Sequence, residues 1–124
     1  MKKKLLSVVL VAVLIFSLSA TAFARWNVVV ECSPKLSFTG STANCRLIVA
    51  TFDSSAKISA KLELKNSSGT VIKTWNNLNG TGYLSYSATY SPVSNGTYTL
   101  VATVNVYGSN GNDSIVVSKS ATKS

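Results

Sequence analysis

The sequence contains no histidine, and only four of its 124 residues are acidic. Without histidine there is no Ser-His-Asp or Cys-His relay, and the usual ligand of catalytic zinc is missing. The acids are Glu31, Asp53, Glu63 and Asp113. Glycoside hydrolysis needs two carboxylates facing each other across about 5 to 9.5 Å. Glu63 is set among lysines, and Asp53 and Asp113 lie in turn-like segments, which leaves Glu31, beside Cys32, as the one carboxylate to check. No glycine-rich phosphate loop, EF-hand or HExxH pattern occurs. The expectation is a protein with no catalytic residues, no metal site and no cofactor. Proline is scarce too: only Pro34 and Pro92 interrupt the chain.

What is present begins with an export pattern. Lys2, Lys3 and Lys4 precede an apolar run from Leu5 to Leu18, and Ala22-Phe23-Ala24 supplies small residues ahead of Arg25. This order reads as a signal peptide over 1–24, cut between Ala24 and Arg25. The rival reading is a membrane anchor, but the run is shorter than the roughly 20 residues a spanning helix needs. No cysteine lies near the cut to carry a lipid. Residues 25–124 then form one small domain, with no transmembrane anchor expected in them. Export removes three lysines, leaving nine Lys and Arg against four acids, so the formal charge falls from +8 to +5. Such a balance attracts anionic surfaces, and it also simply keeps a protein soluble.

Cys32 and Cys45 are the only cysteines. An even count in an exported domain is expected to form a disulfide. Closing a loop of this size would stabilise by roughly 3 kcal/mol. Their spacing is not CxxC, and further ligands for a metal are missing.

Turn signals recur at Thr39-Gly40, Asp53-Ser54-Ser55, Ser68-Gly69, Asn79-Gly80, Asn95-Gly96 and Asn110-Gly111. Between them side-chain character alternates with period two. AKISAKLELK sets Ile58, Ala60, Leu62 and Leu64 against Lys57, Ser59, Lys61, Glu63 and Lys65. A helix would wind those apolar residues around its whole surface, so a strand is expected. RWNVVVEC sets Trp26, Val28, Val30 and Cys32 on one side, and CRLIVAT groups Cys45, Leu47 and Val49. Seven strands are expected, at about 26–32, 42–51, 57–66, 70–76, 82–90, 96–107 and 113–119, with 35–38 as a continuation of the first. The register of 70–76 and 113–119 is open. The expected fold is all-β, an immunoglobulin-like antiparallel β-sandwich, with a small Greek-key barrel as the alternative.

GTYTLVATV resembles the sixth strand of bacterial immunoglobulin-like domains, with Tyr98 in the tyrosine-corner position. LSFTGSTANC, GTVIKTW and GTYTLVATVNVYGSNG together are similar to small secreted single-domain immunoglobulin-like proteins of Gram-positive bacteria, a group of uncharacterised function. The resemblance implies the sandwich and export; it implies no activity. The chain departs from antibody-like domains in that Cys45 has only the nearby Cys32 as a partner, so a bridge would not pin two sheets.

Candidate binding residues fall on the polar parity. Lys57, Lys61 and Lys65 line one strand face, which serves either as a basic patch or as an ordinary solvated surface. Tyr83, Tyr107 and Trp26 are candidates for exposed aromatics, whereas Phe38, Trp75, Tyr86, Tyr90 and Tyr98 are assigned to the core. Four N-x-[ST] sequons, at Asn66, Asn79, Asn95 and Asn112, coincide with turn positions where Asn is favoured anyway. Aromatics are not interleaved with Lys and Arg, so nucleic acid is not an expected partner. The functional expectation is a secreted, non-catalytic binding or interaction module at the bacterial envelope. Its partner would be an anionic cell-wall polymer, a glycan or a protein. The alternatives are a bacteriocin-like effector and a carbohydrate-binding module.

Overall fold

The computed structural model describes residues 26–124, and over them the chain is built from strands and turns alone. The strands are β1 (Val29–Thr39), β2 (Thr42–Thr51), β3 (Lys57–Lys65), β4 (Val71–Thr81), β5 (Tyr83–Tyr90), β6 (Gly96–Tyr107) and β7 (Asn112–Lys123). Their lateral order is β1-β2-β5-β4-β3-β6-β7. Every pairing is antiparallel. Between β5 and β4 the ladder shrinks to one bridge, Thr81 opposite Tyr83. The strands therefore divide into a three-stranded layer, β1-β2-β5, and a four-stranded layer, β4-β3-β6-β7. Across the other side of the sandwich β1 lies against β7. The expected signal segment, with Ala22, Ala24 and Arg25, lies outside the described residues.

Period-two alternation fixes the inward faces. Ala43, Cys45, Leu47 and Val49 of β2 point inward, as do Ile58, Ala60, Leu62 and Leu64 of β3. Tyr98, Leu100, Ala102, Val104 and Val106 of β6 complete the centre. Register places Leu64 opposite Leu100 and Ala60 opposite Val104, so large and small side chains share the inner face of β3 and β6. Truncating one of the fully buried leucines would cost about 2–5 kcal/mol.

The disulfide expectation is overturned: both cysteines are free and buried. They do share the inward face of neighbouring strands, as parity requires. Register, however, sets Cys32 opposite Val49 and Cys45 opposite Leu36. Four residues of offset amount to about 13 Å along a strand, well beyond the roughly 4.4–6.8 Å between Cα atoms that a bridge tolerates.

Strand limits and alternation also differ from expectation in places. Pro34 does not break β1, because β1 is an edge strand with β2 as its sole ladder partner, and the missing N–H costs little there. A register shift between Val29 and Glu31 breaks the alternation, so Val28 and Val29 are both buried and Val30 is not. Asn79-Gly80 lies within β4 rather than in a turn, and Gly82 makes the corner instead. At Gly82, φ is 73° and a Cβ would fall 2.7 Å from the Ser54 carbonyl oxygen, so only glycine fits. β4 is prolonged past 76 by a bulge that carries Asn77 at φ 58°, a conformation asparagine tolerates.

Candidate binding face

The outward face of the four-stranded layer is built by β3 and its neighbours. Lys57 stands between Thr81 of β4 and Tyr107 of β6 in register. Thr81 in turn stands opposite Tyr83. Paired residues point to the same side of a sheet, so Thr81, Lys57 and Tyr107 form one lateral row, and Tyr83 stands just across the Gly82 corner from Thr81. Adjacent members of the row are about 4.8 Å apart along the hydrogen-bonding direction. Both tyrosines are exposed, each at 54 %. The Lys57 ammonium reaches toward the Thr81 hydroxyl at 3.5 Å.

The other two lysines do not join this row. Lys61 and Lys65 follow Lys57 at intervals of four residues, about 13 Å each. Lys61 pairs with Glu63 at 3.6 Å, an exposed contact that sets an opposite charge beside it. Lys65 lies at the far end, in a shallow depression with Asn66, Thr99 and Val116. Of the five candidate binding residues, the fold thus gathers Lys57, Tyr83 and Tyr107 and disperses the two remaining lysines.

A third aromatic belongs to the same end. Phe52, just past β2, is 77 % exposed, and the sequence reading did not single it out. Its position inside the TFDSS turn was the available signal: a large apolar residue in a polar turn has no inward face to occupy. Thr51 anchors it beside the corner, since both its amide and its hydroxyl donate to the Gly82 carbonyl, at 3.2 and 2.7 Å. The Phe52 amide donates to the Val28 carbonyl at 2.9 Å. Trp26, by contrast, is half-buried against the core rather than exposed.

Asp53 ties two loops together at this end. One carboxylate oxygen accepts the amide and hydroxyl of Ser55, at 2.9 and 2.7 Å. The other accepts the amide and hydroxyl of Ser109, at 3.0 and 2.9 Å. The loop after Phe52 is thereby tied to the loop after Tyr107. Donors from Ser109 and Ser55 hold the Asp53 carboxyl far below the usual carboxylate range.

The remaining acids are also engaged in structure. Asp113 is buried and accepts the amides of Asn27, Val28 and Val29. Glu31 accepts the Ser33 hydroxyl at 3.0 Å. Burial pushes the Cys45 thiol up to about 11, and burial together with the Glu31 charge pushes Cys32 up to about 12, so neither is a ready nucleophile. Among the described residues no three Cys, Asp or Glu side chains are grouped to hold a metal ion. No helix among them is long and apolar enough to cross a membrane.

No family model matches the chain, and no curated protein is significantly similar to it. What the residues can do chemically therefore rests on the geometry: three exposed rings and one ammonium, presented by tied loops at one end of a sandwich.

Proposed function

We propose that this protein is a secreted, immunoglobulin-like sandwich that acts by binding, without catalysis, and that it takes a glycan or wall polymer against its aromatic end. One observation carries the reading: Phe52, Tyr83 and Tyr107 are exposed together on a scaffold locked by Asp53, Thr51 and Gly82. Rings held in place ahead of binding lose little conformational freedom when a ligand arrives. Stacked sugar rings offer such aromatics apolar C–H faces, and Lys57 at the same end would attract acidic groups on the same polymer. The immunoglobulin-like assignment draws support from Tyr98, whose hydroxyl donates to the Ser94 carbonyl four residues upstream at 2.8 Å. This is the tyrosine-corner contact of that fold. Export rests on residues 1–24 of the sequence.

Retention on insoluble cell wall and on immobilised glycans tests the reading. The unaltered protein should be retained, and Tyr83→Ala, Tyr107→Ala and Phe52→Ala should each weaken retention about tenfold, near the loss expected for one stacking side chain. Unchanged retention in the triple variant would refute an aromatic binding end.

A further inference from the structure

A second groove lies elsewhere, on the outward face of the three-stranded layer, with a volume of about 610 Å³. Its lining is three consecutive residues from each strand: Lys35, Leu36 and Ser37; Asn44, Cys45 and Arg46; Ser87, Ala88 and Thr89. Register sorts them into rows. Lys35, Arg46 and Ser87 form one outward row, and Ser37, Asn44 and Thr89 form the next. Between them runs the inward row Leu36, Cys45 and Ala88, which contributes the floor. No residue from the adjacent inward rows lines the space, so the groove opens to solvent and not into the core.

Its charge is one-sided. Lys35 and Arg46 are directly opposite each other across β1 and β2. Side chains so placed have Cβ atoms about 4.5–5.5 Å apart, and like charges there repel. Neither forms an ion pair with a described residue; Arg46 donates instead to the Ser85 hydroxyl at 3.3 Å. The acid on this face, Glu31, is two rows away and accepts from Ser33. Around the two cations stand the hydroxyls of Ser37, Ser87 and Thr89 and the amide of Asn44. A planar guanidinium, an ammonium and several hydroxyl donors around a groove match a tetrahedral oxyanion.

We infer that this groove binds a phosphate or sulfate ester, with Arg46 and Lys35 clamping the oxyanion and Ser87 and Thr89 donating to its remaining oxygens. An anion between the two cations turns their mutual repulsion into attraction. The groove and the aromatic end share no residue, so either can fail without the other.

Calorimetric titration of the purified protein at low salt tests the inference, with polyphosphate, dextran sulfate, inorganic phosphate and inorganic sulfate as probes. At least one polymer should bind, and Arg46→Gln or Lys35→Gln should weaken it about tenfold or more. Lys61→Gln and Lys65→Gln, on the opposite layer, should stay within twofold. The tighter polymer identifies the ester; equal binding means the site reads the oxyanion alone. Absence of binding, or equal losses in all four lysine and arginine variants, would overturn a localised site. All four side chains are solvent-facing, so an unchanged melting temperature verifies that the variants fold.

Discussion

The Asp113 carboxylate lies 2.7 Å from the Val28 amide nitrogen, across 85 positions of the sequence. The same oxygen accepts the Val29 amide, and its partner oxygen accepts that of Asn27. A single buried side chain thus supplies the hydrogen bonds that a strand neighbour would otherwise give the start of β1, and it fastens the two terminal strands together.

Replacing Asp113 with alanine strands three amides, two of them buried. The expected loss is about 3–5 kcal/mol, since an unsatisfied buried donor costs about 1–3 kcal/mol. Asp113→Asn keeps one acceptor oxygen and should fall between the two. Urea denaturation measures both, and an alanine variant within 1 kcal/mol of the unaltered protein would contradict the role given to this carboxylate.

Labelling separates free thiols from a bridge. In denaturant without reductant, a maleimide or disulfide reagent should modify two cysteines per chain. In native buffer at pH 8 it should react about 100-fold more slowly, because burial keeps both thiols protonated. The raised values also set an alkaline limit. Below pH 9 both folded and unfolded chains hold neutral thiols, and above it the unfolded chain ionises first. Stability should therefore fall progressively from pH 9 toward the values of about 11 and 12 that Cys45 and Cys32 reach in the fold. Titration of no thiols in denatured protein would disprove the assignment.

Asp53 governs the acid side. Its folded value is depressed, so its contribution is complete above the ordinary unfolded value of about 3.9 and fades as pH drops below it. Melting temperatures recorded from pH 6 to pH 2 should decline more steeply for the unaltered protein than for Asp53→Asn. Parallel curves would mean that the four serine contacts add nothing to stability.

Tyr98→Phe removes one hydroxyl and keeps the ring, which packs against Phe38 with centroids 5.6 Å apart. The Ser94 carbonyl loses its donor at a half-buried site. The expected cost is about 1–2 kcal/mol, or roughly 4–16 °C in melting temperature for a domain of this size. Thermal unfolding checks it, and an unchanged melting point would show that the corner contact is incidental.

How much of this was readable in advance varies by strand. The bounds of β2, β3 and β6 follow from alternation, because each sets a buried face against a half-buried or exposed one. β7 runs on to Lys123, beyond the expected end near 119, since an edge strand with hydroxyl pairs such as Thr99–Ser120 and Thr97–Thr122 needs few apolar residues. β4 was obscured by its bulge, which shifts the inward positions from Trp75 to Leu78, three apart. The cysteines show the limit most clearly. Parity put both on the inward face, but lateral offset depends on turn length and on where pairing begins, and alternation carries neither. At the aromatic end, exposure of Tyr83 and Tyr107 followed from parity, whereas their placement at one end with Lys57 required the β4–β5 corner.

The four-place mismatch between the two sulfurs has a consequence for biosynthesis. Domains of about a hundred residues that travel outside the cell often wait on an oxidant before their cores will hold. Here residues 26–124 pack with both thiols free, so the fold needs no oxidant. Dithiothreitol should leave its melting curve where it was, and cytosolic expression should yield the same fold as expression outside the cell.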